Sequence, residues 1–188
     1  MKKALLLFVV IAFACSRETR APGDVAKKPE PKKPVEQTAA PASTEVGATM
    51  PPYQATMLDG TPFDLSAERG KKVVFLNLWA TWCGPCRFEI PELEKMHAKY
   101  APRGFEVVGV SLDDEGAVAV KSFVKEQPIG YPIALDPSGK IANVVQTTVL
   151  PTSVLIDRSG KIVWRRTGAL MGPDPTLDAA IETALGKS

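Results

Sequence analysis

Cysteine and histidine are scarce in this chain: three cysteines and one histidine among 188 residues. A structural zinc site usually takes four ligands, and one cysteine pair with His97 does not supply them. Cys83 and Cys86, three residues apart, cannot staple a large fold, so a disulfide framework is excluded as the source of stability. Covalent haem attachment through a CxxC pair needs a histidine directly after the second cysteine, and Arg87 stands there. Excess charge is also missing: the formal net charge is +2. A nucleic-acid binder would show a concentrated basic face, and none is readable, so no nucleic-acid partner is expected. No apolar run reaches the roughly twenty residues that a membrane-spanning helix needs.

The apolar run at the start of the chain, residues 4–14, follows Lys2 and Lys3. A charged start, a short apolar stretch and small residues at its end are the parts of a secretory signal peptide. Cys15 comes next, after Ala12-Phe13-Ala14. A signal sequence ending in a small residue before a cysteine is similar to bacterial lipoprotein signals, in which that cysteine is lipidated and becomes the first mature residue. Ala14 suits the cleavage position, whereas Ala12 and Phe13 depart from the usual pattern. The expectation is a signal peptide over 1–14 and a lipid anchor on Cys15; the alternative is an ordinary cleaved signal that happens to contain a cysteine. Lipidation would also account for the odd cysteine of an exported chain.

From residue 16 to about 46, Pro22, Pro29, Pro31, Pro34 and Pro41 alternate with lysines and glutamates, and large apolar residues are nearly absent. Such a composition buries too little surface to offset its ordering entropy, and proline keeps it extended. Residues 15–45 are therefore expected to be a tether, and residues 46–186 the folded domain.

Within that domain, alternating residues around Asp59-Gly60 predict a hairpin over 53–65. The dense run 72–78 suits a buried central strand. A helix is expected over 85–100, with Ile90, Leu93, Met96, His97 and Tyr100 at helical spacing. A second buried strand covers 105–112, and Asp113 or Asp114 is expected to cap the helix that carries Val120, Phe123 and Val124. A strand over 131–135, a short helix over 140–145, and strands over 153–157 and 161–166 joined by a tight turn follow. Asp174-Pro175 opens the last helix, which ends at Gly186. Strands alternating with helices, then a hairpin and a helix, give an α/β sandwich on a mixed sheet.

The pair Cys83–Cys86 sits where the central strand hands over to a helix. The thiolate is the nucleophile in disulfide exchange, and helix N-terminal N–H groups favour negative charge. Pro85 occupies the first turn without costing a needed donor. Cys83 is then the exposed nucleophile, and Cys86, one turn in, is the shielded thiol that resolves the mixed disulfide. His97 lies about three turns past Cys86 on an apolar stripe and reads as structural.

The segment Phe75-Leu76-Asn77-Leu78-Trp79-Ala80-Thr81-Trp82-Cys83-Gly84-Pro85-Cys86-Arg87 resembles the active-site segment of thioredoxins, and more closely that of the TlpA/ResA-like extracytoplasmic thiol–disulfide oxidoreductases. The resemblance continues through Glu89-Ile90-Pro91-Glu92-Leu93, residues 108–113, Leu150-Pro151-Thr152, Leu155-Ile156-Asp157 and Gly160. It implies a thioredoxin-like three-layer sandwich with helices on both faces of a mixed sheet and an N-terminal β-hairpin. It implies a cis proline at Pro151, facing the disulfide and bringing the Leu150 backbone beside Cys83. It places Asn77 where thioredoxins carry a titratable aspartate, and Glu89 as the acid/base instead. Trp82, Gly84, Pro85 and Leu150 would contact substrate. Val149 departs from the glycine common two residues before that proline.

The function implied is disulfide reduction in exported proteins, with apocytochrome c as the substrate class the family suggests. No cofactor beyond the Cys83–Cys86 disulfide, no metal, a transmembrane electron donor and a membrane-anchored, periplasm-type location complete the expectation. A disulfide-forming oxidant, a thiol peroxidase and a metal- or partner-binding lipoprotein are the alternatives.

Overall fold

The run 72–78 becomes β3 (Val73–Trp79), buried at every position. The computed structural model describes residues 44–186; the expected signal peptide, Cys15 and nearly all of the expected tether lie outside the described residues. Parallel β4 (Phe105–Ser111) flanks β3 on one side and antiparallel β6 (Thr152–Ile156) on the other. β5 (Ile133–Leu135) adds parallel to β4, and β7 (Ile162–Thr167) adds antiparallel to β6. β1 (Gln54–Met57) and β2 (Pro62–Asp64) form an antiparallel pair around Asp59-Gly60, and β1 joins the sheet through β5. The described sheet thus has seven strands in the order β2-β1-β5-β4-β3-β6-β7. Three parallel strands between antiparallel additions make it mixed.

Strand alternation divides the core by face. Val73, Phe75, Val107 and Leu155 point to one side, against α1 (Gly84–Tyr100) and α4 (Pro175–Leu185) through Leu93, Met96, Tyr100, Leu177 and Ile181. Val74, Leu76, Val108 and Val154 point to the other, against α3 (Lys140–Val144), Tyr53 and Phe63. α2 (Ala117–Glu126) places Val120 with Trp79 and Ile90 beside the cysteines. The chain therefore has the α/β thioredoxin fold, with layers of helix on both faces of the sheet. Among the described residues, no helix is long and apolar enough to cross a membrane.

Two expectations are corrected. α2 is not capped by Asp113 or Asp114; its N-cap is Gly116, without a side-chain cap bond. The Asp113 carboxylate is committed elsewhere, to Thr81 and Ser111. Packing also reaches back before the expected domain start. Thr44 is buried, its hydroxyl donates to Val145 O at 3.1 Å, and Arg165 Nη1 donates to both Thr44 Oγ1 and Val145 O. From there the chain runs beside β7: Gly47 N–H donates to Ile162 O, Ile162 N–H to Ala48 O, and Thr49 bridges Lys161.

Candidate active site

β3 ends at Trp79, and the four residues that follow turn the chain into α1. Cys83 is the N-cap of that helix, with extended backbone, and Pro85 sits in its first turn. The turn is fastened from two sides. Cys83 N–H donates to Ala80 O. Thr81 donates to Asp113 from its N–H to both carboxylate oxygens at 3.1 Å and from its hydroxyl at 2.6 Å. Ser111 Oγ supplies Asp113 with a further donor at 2.7 Å. The cysteine motif is thereby hung from the C-terminal end of β4.

Cys83 and Cys86 are joined by a disulfide with an S–S distance of 2.02 Å. The Cys86 N–H points at Cys83 Sγ from 3.3 Å. On reduction a thiolate at Cys83 would meet that N–H and the positive end of α1, which lowers the energy of the charged form. Cys83 is less open than expected: it is 6% exposed and Cys86 1%. The asymmetry between them has the expected sense, although neither sulfur-bearing residue is openly exposed. Trp82, next in sequence to Cys83, is 70% exposed. Gly84 and Pro85 are exposed as well, and Trp79 is core.

The Leu150–Pro151 bond is cis. Leu150 packs against the cluster formed by Trp79, Ala80, Cys83, Cys86 and Ile90. Val149, next to it, is exposed, and its carbonyl accepts from Thr152 Oγ1 at 2.7 Å.

Glu89 lies one turn beyond Cys86 on α1 and has no exposed surface. Asn77 Nδ2 donates to its Oε1 at 2.7 Å, and the Leu170 N–H donates to its Oε2 at 2.9 Å. Burial pushes its pKa above the ordinary glutamate value; those two donors and the charge of Arg166 act against the rise. Asn77 cannot titrate, but it is not idle: the same amide nitrogen also donates to Ser153 Oγ at 3.0 Å. A buried carboxylic acid within one turn of a dithiol can hold or release a proton where water does not enter.

The structure therefore gathers Cys83, Cys86, Glu89, Leu150 and Pro151 at one end of the sheet, with Trp82, Gly84 and Pro85 at the surface there. His97 is elsewhere: its Nδ1 accepts from Val107 N–H, and its ring meets Tyr131 edge-on. The sequence reading missed Leu170, which acts through a backbone N–H, and Ser153, and it assigned Asp113 to a helix cap rather than to the Thr81 turn. Asp113 had one visible signal, an acidic residue at the end of a strand next to the motif strand.

A model of the Redoxin family matches residues 41–181. The chain is similar to the thiol-disulfide oxidoreductase ResA of Bacillus thuringiensis subsp. konkukian, 40% identical over 124 residues, which are 66% of this chain and 70% of that one. It is 35% identical to the ResA of Geobacillus kaustophilus over 129 residues, 69% of this chain and 73% of the relative. Among solved structures, a putative thiol:disulfide interchange protein DsbE from Chlorobium tepidum superposes with a TM-score of 0.70. The two are 35% identical, and the match covers 77% of this chain and 100% of that one.

Proposed function

The chain belongs to the Redoxin family, in the TlpA/ResA-like branch of the thioredoxin superfamily, and from that premise we propose that this thiol–disulfide oxidoreductase reduces disulfides in exported proteins. The observation that carries the reading is the Cys83–Cys86 disulfide at the N-terminus of α1, with the Cys86 N–H aimed at Cys83 Sγ. The dipeptide between the cysteines, Gly84-Pro85, is that of reducing thioredoxins, whose potentials lie near about −270 mV. The lipoprotein-like start of the sequence, with Cys15 as the lipid-bearing residue, supports a membrane-anchored location outside the cytoplasm.

In the reduced protein, the Cys83 thiolate attacks one sulfur of the substrate disulfide. The substrate S–S bond breaks, and a mixed disulfide with Cys83 forms. The substrate's other sulfur leaves as a thiolate and takes a proton. Cys86 then gives its proton to Glu89 and attacks Cys83 Sγ; the mixed disulfide breaks, and the second substrate sulfur leaves as a thiolate that takes a proton from solvent, so the substrate departs as a dithiol. The substrate has gained two electrons, and Cys83–Cys86 has become a disulfide. An electron donor must return the pair to the dithiol. For an exported protein that donor is a transmembrane protein, and no cofactor beyond the disulfide is needed. Leu150, turned toward Cys83 by its cis bond to Pro151, offers backbone to the substrate chain, and Trp82, Gly84 and Pro85 form the surface it first meets. Apocytochrome c before haem attachment is the substrate class that fits the family.

The test is the reduction potential of the pair in the full chain, read by mass spectrometry of alkylated thiols across redox buffers. A value near or below about −250 mV is expected of a reductase, and one near about −120 mV would make the protein an oxidant. Cys86→Ser is expected to trap substrate on Cys83 as a stable mixed disulfide, whereas Cys83→Ser traps none.

A further inference from the structure

Glu89 is enclosed, yet a row of polar groups leads from it to the surface. In the strand register Asn77 lies opposite Ser153, and Ser153 opposite Arg166. Residues paired in this way share a face, so β3, β6 and β7 carry one transverse polar row through an otherwise apolar layer. Asn77 and Ser153 are buried, and the Arg166 side chain is 40% exposed. Glu89 reaches this row from α1 through Asn77.

Its second partner, the Leu170 N–H, belongs to the connection between β7 and α4. That connection is closed on itself. Arg166 Nη1, at the end of β7, binds Asp174 Oδ2 at 2.8 Å, and Asp174 is the N-cap of α4. Gly168 N–H donates to Pro151 O at 2.8 Å, which ties the same loop to the cis bond. Gly168 and Gly172 have φ of +94° and +126°, and no atom lies within 4 Å of the place a Cβ would take. Backbone shape rather than crowding calls for glycine at both. Leu170 is buried between them and Met171 is exposed.

We propose that Arg166 is a positioning residue for Glu89. Its clasp on Asp174 holds the Leu170 N–H against the carboxylate, and its charge stands at the open end of the polar row, so that a wholly buried acid can give up its proton. Neighbouring groups have other engagements: Glu94 Oε1 accepts from the Gly130 N–H. Tyr131 is kept neutral by burial, which pushes its pKa up. Glu92 is engaged with Lys95. The cysteines do not titrate while joined. The consequence for exchange rests on the acid/base reading of Glu89; the clasp itself does not.

The experiment is a carbon-13 titration of glutamate carboxyls in the full-length disulfide form, with Glu89→Gln used to assign the resonance. Arg166→Gln is expected to raise the Glu89 midpoint by about half a pH unit or more. Arg166→Lys, which keeps the charge, is expected to recover most of that shift. An unmoved midpoint in Arg166→Gln, or a lysine variant displaced as far as the glutamine one, overturns the proposal. The pH profile of thiol–disulfide exchange is read separately. If Glu89→Gln leaves that profile unchanged, the acid/base role of Glu89 fails while the titration still decides the clasp.

Discussion

Among single residues, Glu89 has the most to lose from where it sits. Burial raises its pKa above the unfolded value. A group shifted in that direction contributes stability that is fully present below its unfolded pKa, about 4.3, and lost as the pH rises through the folded value. Glu89→Gln removes the buried charge. Its stability relative to the parent is therefore expected to improve between pH 4.5 and pH 8, measured by urea unfolding of the disulfide form at each pH. An equal difference at both pH values would show that burial does not govern this carboxylate. Gly109 makes a different point at the same scale. A Cβ there would stand 3.0 Å from Tyr131 Cε2 and 3.1 Å from Trp79 Nε1. Two large side chains fill its place, and a glycine in mid-strand gives no hint of that in the sequence.

At the scale of elements, the turn between β3 and α1 depends on one carboxylate from the end of β4. Asp113→Ala would strand the Thr81 N–H and both hydroxyls that now point at it. Losing hydrogen bonds to a buried charge is expected to cost about 2–3 kcal/mol, read as a fall in ΔG of denaturant unfolding. Thr81→Ala, which keeps the backbone bond, should cost less. The elements were legible in proportion to how far they act through side-chain periodicity. The run 72–78 announced a central strand, and the stripe through Ile90, Leu93 and Met96 announced α1. Asp174-Pro175 announced the start of α4 because its cap is a side chain that accepts from Thr176 and Leu177 N–H. Asp113 looked like such a cap, but its bonds to Thr81 span 32 residues of sequence, a distance at which local pattern says nothing. Leu170 was invisible for a stricter reason: any residue but proline carries the N–H it uses. The Cys83–Cys86 pairing was legible because its chemistry lies in the residue type, and the cis bond at Pro151 was legible only through the family resemblance.

Taken as a whole, the molecule keeps its chemistry at one end of the sheet and its fastening at the other. Arg158, in the turn between β6 and β7, donates to Leu185 O at 3.1 Å, to Arg103 O at 3.1 Å and to Lys71 O at 3.4 Å. One guanidinium thus joins the end of α4, the turn before β4 and the lead into β3. Arg158→Ala is expected to lower stability by about 1.5–3 kcal/mol. Because the site lies at the far end, the rate of thiol–disulfide exchange per folded molecule should stay within about twofold of the parent. Parallel unfolding and activity measurements would check both halves, and a large loss of exchange in a folded variant would refute the separation. The stretch that runs beside β7 has a further effect. An open strand edge offers a row of N–H and C=O groups to which another chain can add. Here Gly47, Ala48 and Thr49 occupy that row beside Lys161 and Ile162. On the opposite margin β2 is three residues long and begins with Pro62, which has no N–H to offer. One margin is thus short and proline-led and the other is covered where β7 begins, so copies crowded side by side have less foothold there for edge-to-edge stacking into aggregates.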